Sequence, residues 1–193
     1  MSEPLARQPL AEAPLDLDFV VVRYPDAVLR RVAEPVVDFG APLQRIVEAM
    51  FARMVASKGV GLAAPQVGIS RRILVLNPQG ERGPDDLALI NPTLVERTGE
   101  ETWYEEGCLS FPSIYAEVKR PDRCTVRYQD VAGTQHEREF EGFTSRIIQH
   151  EYDHLEGVLL VDRMSPADRQ RHKSALQELV DRWKQGAPAP RAR

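Results

Sequence analysis

Cysteine is scarce in this chain, with Cys108 and Cys124 the two thiols among 193 residues. Two thiols do not make a disulfide scaffold at this length. Long hydrophobic runs are missing as well: the longest, Phe19 to Val22 and Ile73 to Leu76, suit a strand and fall far short of a membrane span. Neither charge sign dominates, since 25 Lys and Arg stand against 29 Asp and Glu for a net charge of -4. That balance gives no electrostatic case for nucleic acid as a direct substrate. The first residues lack both the apolar core of a signal peptide and the Arg-rich, acid-poor character of a transit peptide. Residues 1–18, with Pro-Leu pairs and several acids, therefore read as a flexible N-terminal extension of a cytoplasmic protein. No internal repeat is visible.

What is present is concentrated in the run Gln149-His150-Glu151-Tyr152-Asp153-His154-Leu155-Glu156-Gly157. On an α-helix, residues four apart share a face, about 6 Å from each other along the axis. His150 and His154 can thus grip one divalent cation, and Glu151 stands close enough to move protons for a metal-bound water. This points to a metallohydrolase, against the alternative of an exposed helix with a charged stripe.

The remaining pattern frames that helix. With 42% hydrophobic residues the chain supports one buried core, placed in residues 19–185, with a disordered tail over 186–193. Phe19 to Arg23 is β-rich, and apolar residues from Leu43 to Val55 recur at helical spacing over Ala41 to Ser57. Strands are predicted over Ile73 to Leu76, Leu87 to Ile90, Leu94 to Trp103, Tyr115 to Val118, Cys124 to Gln129 and Thr134 to Phe140. Asp130 to Gly133 makes a hairpin turn, Thr144 or Ser145 caps the two-histidine helix, and Pro166 opens a final helix to about Gln185. The expected class is α+β: mostly antiparallel sheets around a central metal-bearing helix, with N-terminal and C-terminal helices.

The third ligand decides the kind of site. An extended zinc-protease pattern would place a third His at position 160, which is Leu160; a later glutamate would have to be Glu178, which sits among charged residues that look solvated. A thiolate from Cys108 is the remaining option. Cys124 lies in an alternating run and reads as a buried strand thiol.

Three segments now carry a resemblance: Gly59-Val60-Gly61-Leu62-Ala63-Ala64-Pro65-Gln66, Glu106-Gly107-Cys108-Leu109-Ser110, and Gln149 to Gly157. In this order the chain resembles the peptide deformylase family over nearly its whole length, which makes residues 19–185 a single catalytic domain. The resemblance implies Cys108, His150 and His154 as metal ligands and Glu151 as general base and acid. It implies that the Gln66 amide and the Leu109 backbone N–H stabilise the oxyanion, and that Gly61 lies against the bound substrate. It further implies removal of the N-formyl group from the initiator Met of new polypeptides with release of formate. Fe²⁺ is the implied metal, with Zn²⁺, Ni²⁺ or Co²⁺ able to substitute.

Gly59, Gly61 and Gly107 let an extended peptide lie close to the backbone; Gly59 can equally end the preceding helix. Some relatives carry a peptide-contacting Arg seven residues past the Cys, where this chain has Tyr115, with Arg120 and Lys119 the nearest basic alternatives. Where many relatives have an apolar pocket residue, Arg146 stands here, expected to wall the pocket with its stem while its head reaches solvent. Asp153 either orients an imidazole or caps a surface. His136 and His172 look solvated. The partners implied are formyl-Met nascent peptides and, through the final helix, the ribosome, although the mixed charge of that helix favours a plain surface. No membrane partner is expected. Two other readings stay open: a metallopeptidase using Glu178, and a catalytically silent binder of nascent N-termini.

Overall fold

The computed structural model describes residues 17–186. The expected N-terminal extension and C-terminal tail lie outside these residues except for Leu17, Asp18 and Gly186. Leu17 packs on the core and Asp18 accepts a hydrogen bond from Arg53 at 2.6 Å.

The first helix, α1 (Ala41–Ala56), buries Leu43, Ile46, Val47, Met50, Phe51 and Met54, the face that its periodicity predicts. It stops at Ser57, after which Lys58 takes a left-handed conformation and the Gly59 N–H returns to the Met54 carbonyl. The chain then enters β1 (Gly61–Ala63), a single 3-10 turn over Ala64–Val67, and β2 (Ile73–Leu76).

Two long strands follow, β3 (Leu87–Cys108) and β4 (Phe111–Gln129), joined by a tight turn at Leu109 and Ser110. Each absorbs two segments predicted separately, because bulges bend the ladder without ending it. β5 (Gln135–Glu141) pairs with β4 across the expected Asp130–Gly133 turn. The five strands form one antiparallel sheet in the order β1-β2-β3-β4-β5. The α+β expectation therefore holds, with one bent sheet.

The central helix, α2 (Gly142–Leu155), is buried on nearly every side, including Gln149, Glu151, Asp153 and His154. Ile147, Ile148 and Leu155 pack it into the core against Leu74, Leu76, Leu89, Val126 and Phe140. A helix so enclosed can hold functional groups at fixed positions. Neither Thr144 nor Ser145 caps it: the N-cap is Glu141 without a side-chain bond, and the Ser145 hydroxyl instead accepts from Gln149 one turn on.

Other local expectations also differ. Phe19 to Arg23 forms no strand, since Val22 and Tyr24 make single backbone bonds to Gln66 and Ser110 in place of a ladder. A short helix unseen in the pattern, α3 (Leu160–Arg163), follows α2. Pro166 does open a helix, α4 (Pro166–Arg171), capped by the Ser165 hydroxyl, but the helix breaks at His172 before α5 (Lys173–Lys184). His172 is half-buried at that break and not fully solvated; His136 stacks on Tyr128 and bonds to Asp130 at 2.9 Å. Among the described residues no helix is long and apolar enough to cross a membrane.

Candidate metal centre

α2 places His150 and His154 on one face, their rings 5.3 Å apart and edge to face. The end of β3 brings Cys108 against them, with its Sγ 3.2 Å from His154 Nε2. One ligand atom from each of the three residues lies within 4.8 Å of the others. Ligand atoms of a tetrahedral centre with bonds of about 2.0–2.3 Å stand about 3.5 Å apart, so small rotamer changes close this set on one ion. The two imidazoles and one thiolate suit a borderline divalent cation such as zinc or ferrous iron. Glu178, the rival third ligand, is exposed on α5 and pairs with Arg182 at 2.5 Å. Cys124 is buried in β4 away from the cluster, as its alternating sequence suggests.

Glu151 is buried beside the cluster, and its Oε2 has no hydrogen-bond partner. Burial is the main cause that pushes its carboxyl up to about 7, with the Glu106 charge adding and the His150 and Arg120 charges opposing. A carboxyl poised there exchanges protons near neutral pH. Room for it comes from Gly61: a Cβ on that residue would stand 2.6 Å from Glu151 Oε1 and 2.7 Å from Ile147 Cγ2. The glycine reserved for substrate in the sequence thus first makes room for the acid.

Gln66 is buried and held from both ends. Its Oε1 accepts the Ala63 N–H at 2.8 Å, which fixes the amide so that Nε2 points toward Cys108 Sγ at 3.6 Å and Ser110 Oγ at 3.4 Å. Leu109 is half-buried beside the ligand cluster, and a Cβ on Gly59 would meet its Cδ1 at 2.8 Å.

A cleft of about 790 Å³ opens over these groups. Its lining includes Gly59, Val60, Gly61 and Gln66 from the β1 region, Glu106, Gly107, Cys108 and Leu109 from the end of β3 and the turn after it, and Phe143, Ile147, His150 and Glu151 from α2. Tyr115 lies at the mouth, half-exposed, with its ring laid over Gly107, where a Cβ would meet it at 2.7 Å.

Arg146 departs from expectation. Its head does not reach solvent: Nη1 donates to Glu106 at 2.9 Å, and Nη2 donates to the Thr102 carbonyl and hydroxyl at 2.9 and 2.8 Å. Arg146 still lines the cleft, with its guanidinium carbon 5.3 Å from the centre of the Tyr104 ring. Arg120 is equally unavailable to a peptide, because Glu106 and Asp153 hold it inside the fold. Asp153 neither bonds an imidazole nor caps a surface; it is buried and accepts from Arg120 and Arg163.

The residue whose role the sequence does not reveal is Glu106. Burial alone would raise its carboxyl, but hydrogen bonds and charges from His150 and Arg120 outweigh that and hold it well below the usual carboxylate range. Its Oε2 accepts from His150 Nδ1 at 3.0 Å, leaving Nε2 of that ring as the ligand atom. The signal for it in the sequence is its place in the Glu106–Ser110 segment, two residues before Cys108.

The chain is similar to known proteins over most of its length. A family model described as polypeptide deformylase matches residues 19–170. The peptide deformylase of Thermotoga neapolitana is 46% identical over 155 residues, covering 80% of this chain and 92% of that protein. The chloroplastic peptide deformylase 1B of Solanum lycopersicum is 41% identical over 184 residues, covering 92% of this chain and 66% of that protein. The crystal structure of peptide deformylase from Plasmodium falciparum superposes with a TM-score of 0.85 at 41% identity, covering 88% of this chain and all of that one.

Proposed function

This chain belongs to the polypeptide deformylase family, and from that premise we propose how its own residues carry out the reaction. It is a hydrolase that removes the N-formyl group from nascent polypeptides. The observation that carries the assignment of residues is the convergence of one ligand atom each from Cys108, His150 and His154 within 4.8 Å, with Glu151 Oε2, which has no hydrogen-bond partner, in the cleft beside them.

Cys108, His150 and His154 would hold the metal. Two neutral imidazoles and one thiolate leave a divalent ion with net charge +1, and when bound it supplies Lewis acidity and lowers the pKa of a coordinated water toward about 7. Glu151 takes a proton from the attacking water and delivers it to the departing amine, a task that suits a carboxyl lifted to about 7. The formyl oxygen gathers negative charge as water adds. Gln66 Nε2 and the Leu109 N–H are assigned to it as donors, each such donor being worth about 3 kcal/mol in the transition state. Because Gln66 is anchored through its own oxygen, it needs no reorganisation at that moment.

The peptide is expected to lie along β1, the edge strand of the sheet, using backbone bonds that any sequence offers. Its first side chain enters the space lined by Ile147, Phe143, Tyr104 and Arg146. Tyr115 at the mouth faces the residues that follow.

Fe²⁺ is the proposed physiological metal, because thiolate and imidazole suit it and a reduced cytoplasm, the proposed location, keeps it ferrous. Ribosome contact is proposed through the face of α5 opposite Leu176 and Leu179, which pack on the core; co-sedimentation with ribosomes tests it.

The deciding experiment is formate release from formyl-Met-Ala-Ser by anaerobically purified protein loaded with Fe²⁺ or Ni²⁺, with the acetyl peptide as control. Release from the formyl peptide alone supports the assignment. Metal binding without release, or full activity in Glu151→Gln, overturns these roles.

A further inference from the structure

We propose that Arg163, outside the cleft on α3, is a positioning residue for the ligand His150. The inference rests on the proposed metal centre. A chain of alternating charges links the two residues. Arg163 donates to Asp153 through both prongs, Nε to Oδ2 at 2.9 Å and Nη2 to Oδ1 at 2.5 Å. Asp153 Oδ2 also accepts from Arg120 Nη1 at 2.8 Å. The other two nitrogens of Arg120, Nε and Nη2, donate to Glu106 at 2.8 and 3.0 Å, and Glu106 accepts from His150 at 3.0 Å.

The side chains of Asp153, Arg120 and Glu106 are each 7% exposed or less, whereas that of Arg163 is 43% exposed. The three buried members satisfy one another, so their geometry is mutually dependent. Arg120 is shared between two carboxylates. With the Arg163 fork on both oxygens of Asp153, Arg120 gives that carboxylate Nη1 alone and commits Nε and Nη2 to Glu106. Without Arg163, Asp153 competes for those donors, and Glu106 loses the bonds that aim it at His150. The planar fork matters here, since an ammonium satisfies one oxygen at a time.

Arg163 can act as an anchor because its own backbone is fixed. Leu160, Val161 and Met164 are buried with Leu29, Phe111 and Ile114. Asp162 caps the Leu159 N–H at 2.8 Å and pairs with Arg30.

The test uses the full chain, stripped of metal and titrated anaerobically with Co²⁺, whose visible absorption reports coordination geometry. Arg163→Gln is expected to weaken Co²⁺ binding by about 3–10-fold, less than the loss of a direct partner of a ligand, and to shift the cobalt bands. Arg163→Lys should recover part of both and decides the question if the Gln variant does not fold. Arg30→Gln serves as control: it loosens α3 by breaking the pair with Asp162, and it should lower the melting temperature while leaving cobalt affinity and spectrum as in the wild type. Wild-type affinity and spectrum in Arg163→Gln, or an equal loss in Arg30→Gln, would show that Arg163 merely pins α3. Failure of the wild type itself to bind Co²⁺ would instead remove the metal centre and the inference with it.

Discussion

Glu106 and His150 meet 3.0 Å apart where the end of β3 crosses α2, carboxylate oxygen to imidazole Nδ1. This contact commits Nδ1 to Glu106 and leaves Nε2 as the atom that His150 can offer to a metal. It also joins the ligand face of α2 to the strand that ends in Cys108, so one bond aligns two parts of the same centre.

Replacing Glu106 by Gln should therefore weaken metal binding by about 10–100-fold. It should also destabilise the protein by about 3–5 kcal/mol, since Arg120 and Arg146 keep their charges in a buried site without the carboxylate that balances them. Chelator competition measures the first effect and urea unfolding the second.

Gly61→Ala sets a methyl group against the Glu151 carboxylate and Ile147. Overpacking of this kind costs about 1–3 kcal/mol. Because the acid itself must move, kcat should fall while metal content stays at the wild-type value, as steady-state kinetics beside metal analysis will show.

Glu151→Gln should change how stability depends on pH in metal-free protein. A carboxyl raised from 4.5 to about 7 keeps its proton in the folded state where the unfolded chain has lost it. Stability from this group is thus full below about 4.5 and is lost as pH rises through about 7, a difference of about 3 kcal/mol at most. Thermal melts at pH 5 and pH 8 should show the wild type losing stability across that interval and the variant losing less.

Gly107→Ala tests Tyr115. The added methyl group displaces the ring from its place over the strand, altering the cleft mouth and leaving the ligand cluster alone. KM for tripeptide substrates should rise with kcat unchanged, the signature of lost ground-state binding. A fall in kcat with KM constant would place Tyr115 in the chemistry and not in binding.

The ligand helix is legible in the sequence because its information is local: His150, Glu151 and His154 lie within five residues, and helical geometry alone sets them side by side. The α1 face is legible for the same reason. Cys108 and Gln66 need motif resemblance, as nothing local says that β3 and the turn after β1 converge. The charge chain is illegible. Glu106, Arg120, Asp153 and Arg163 come from two strands and two helices, and each looks like an ordinary surface charge until its partners are known. A lone Arg146 reads as solvent-bound on that account, whereas Glu106 and Thr102 receive it. The expected strand at Phe19 to Arg23 fails differently. Its β-forming residues are real, but the fold offers them isolated backbone partners and no ladder to join.

The separation of the ligands along the chain has a thermodynamic consequence. Cys108 and His154 are 46 residues apart, and only the folded sheet brings the thiol to the helix. An ion bound there acts as a removable cross-link that the unfolded polypeptide cannot retain as a set. Its binding energy is therefore added to the folding energy, about 2.7 kcal/mol when the free ion exceeds its dissociation constant a hundredfold. A cell that starves the protein of metal thus loses more than turnover: it leaves behind a chain closer to unfolding, and the amount of enzyme should track the supply of the ion.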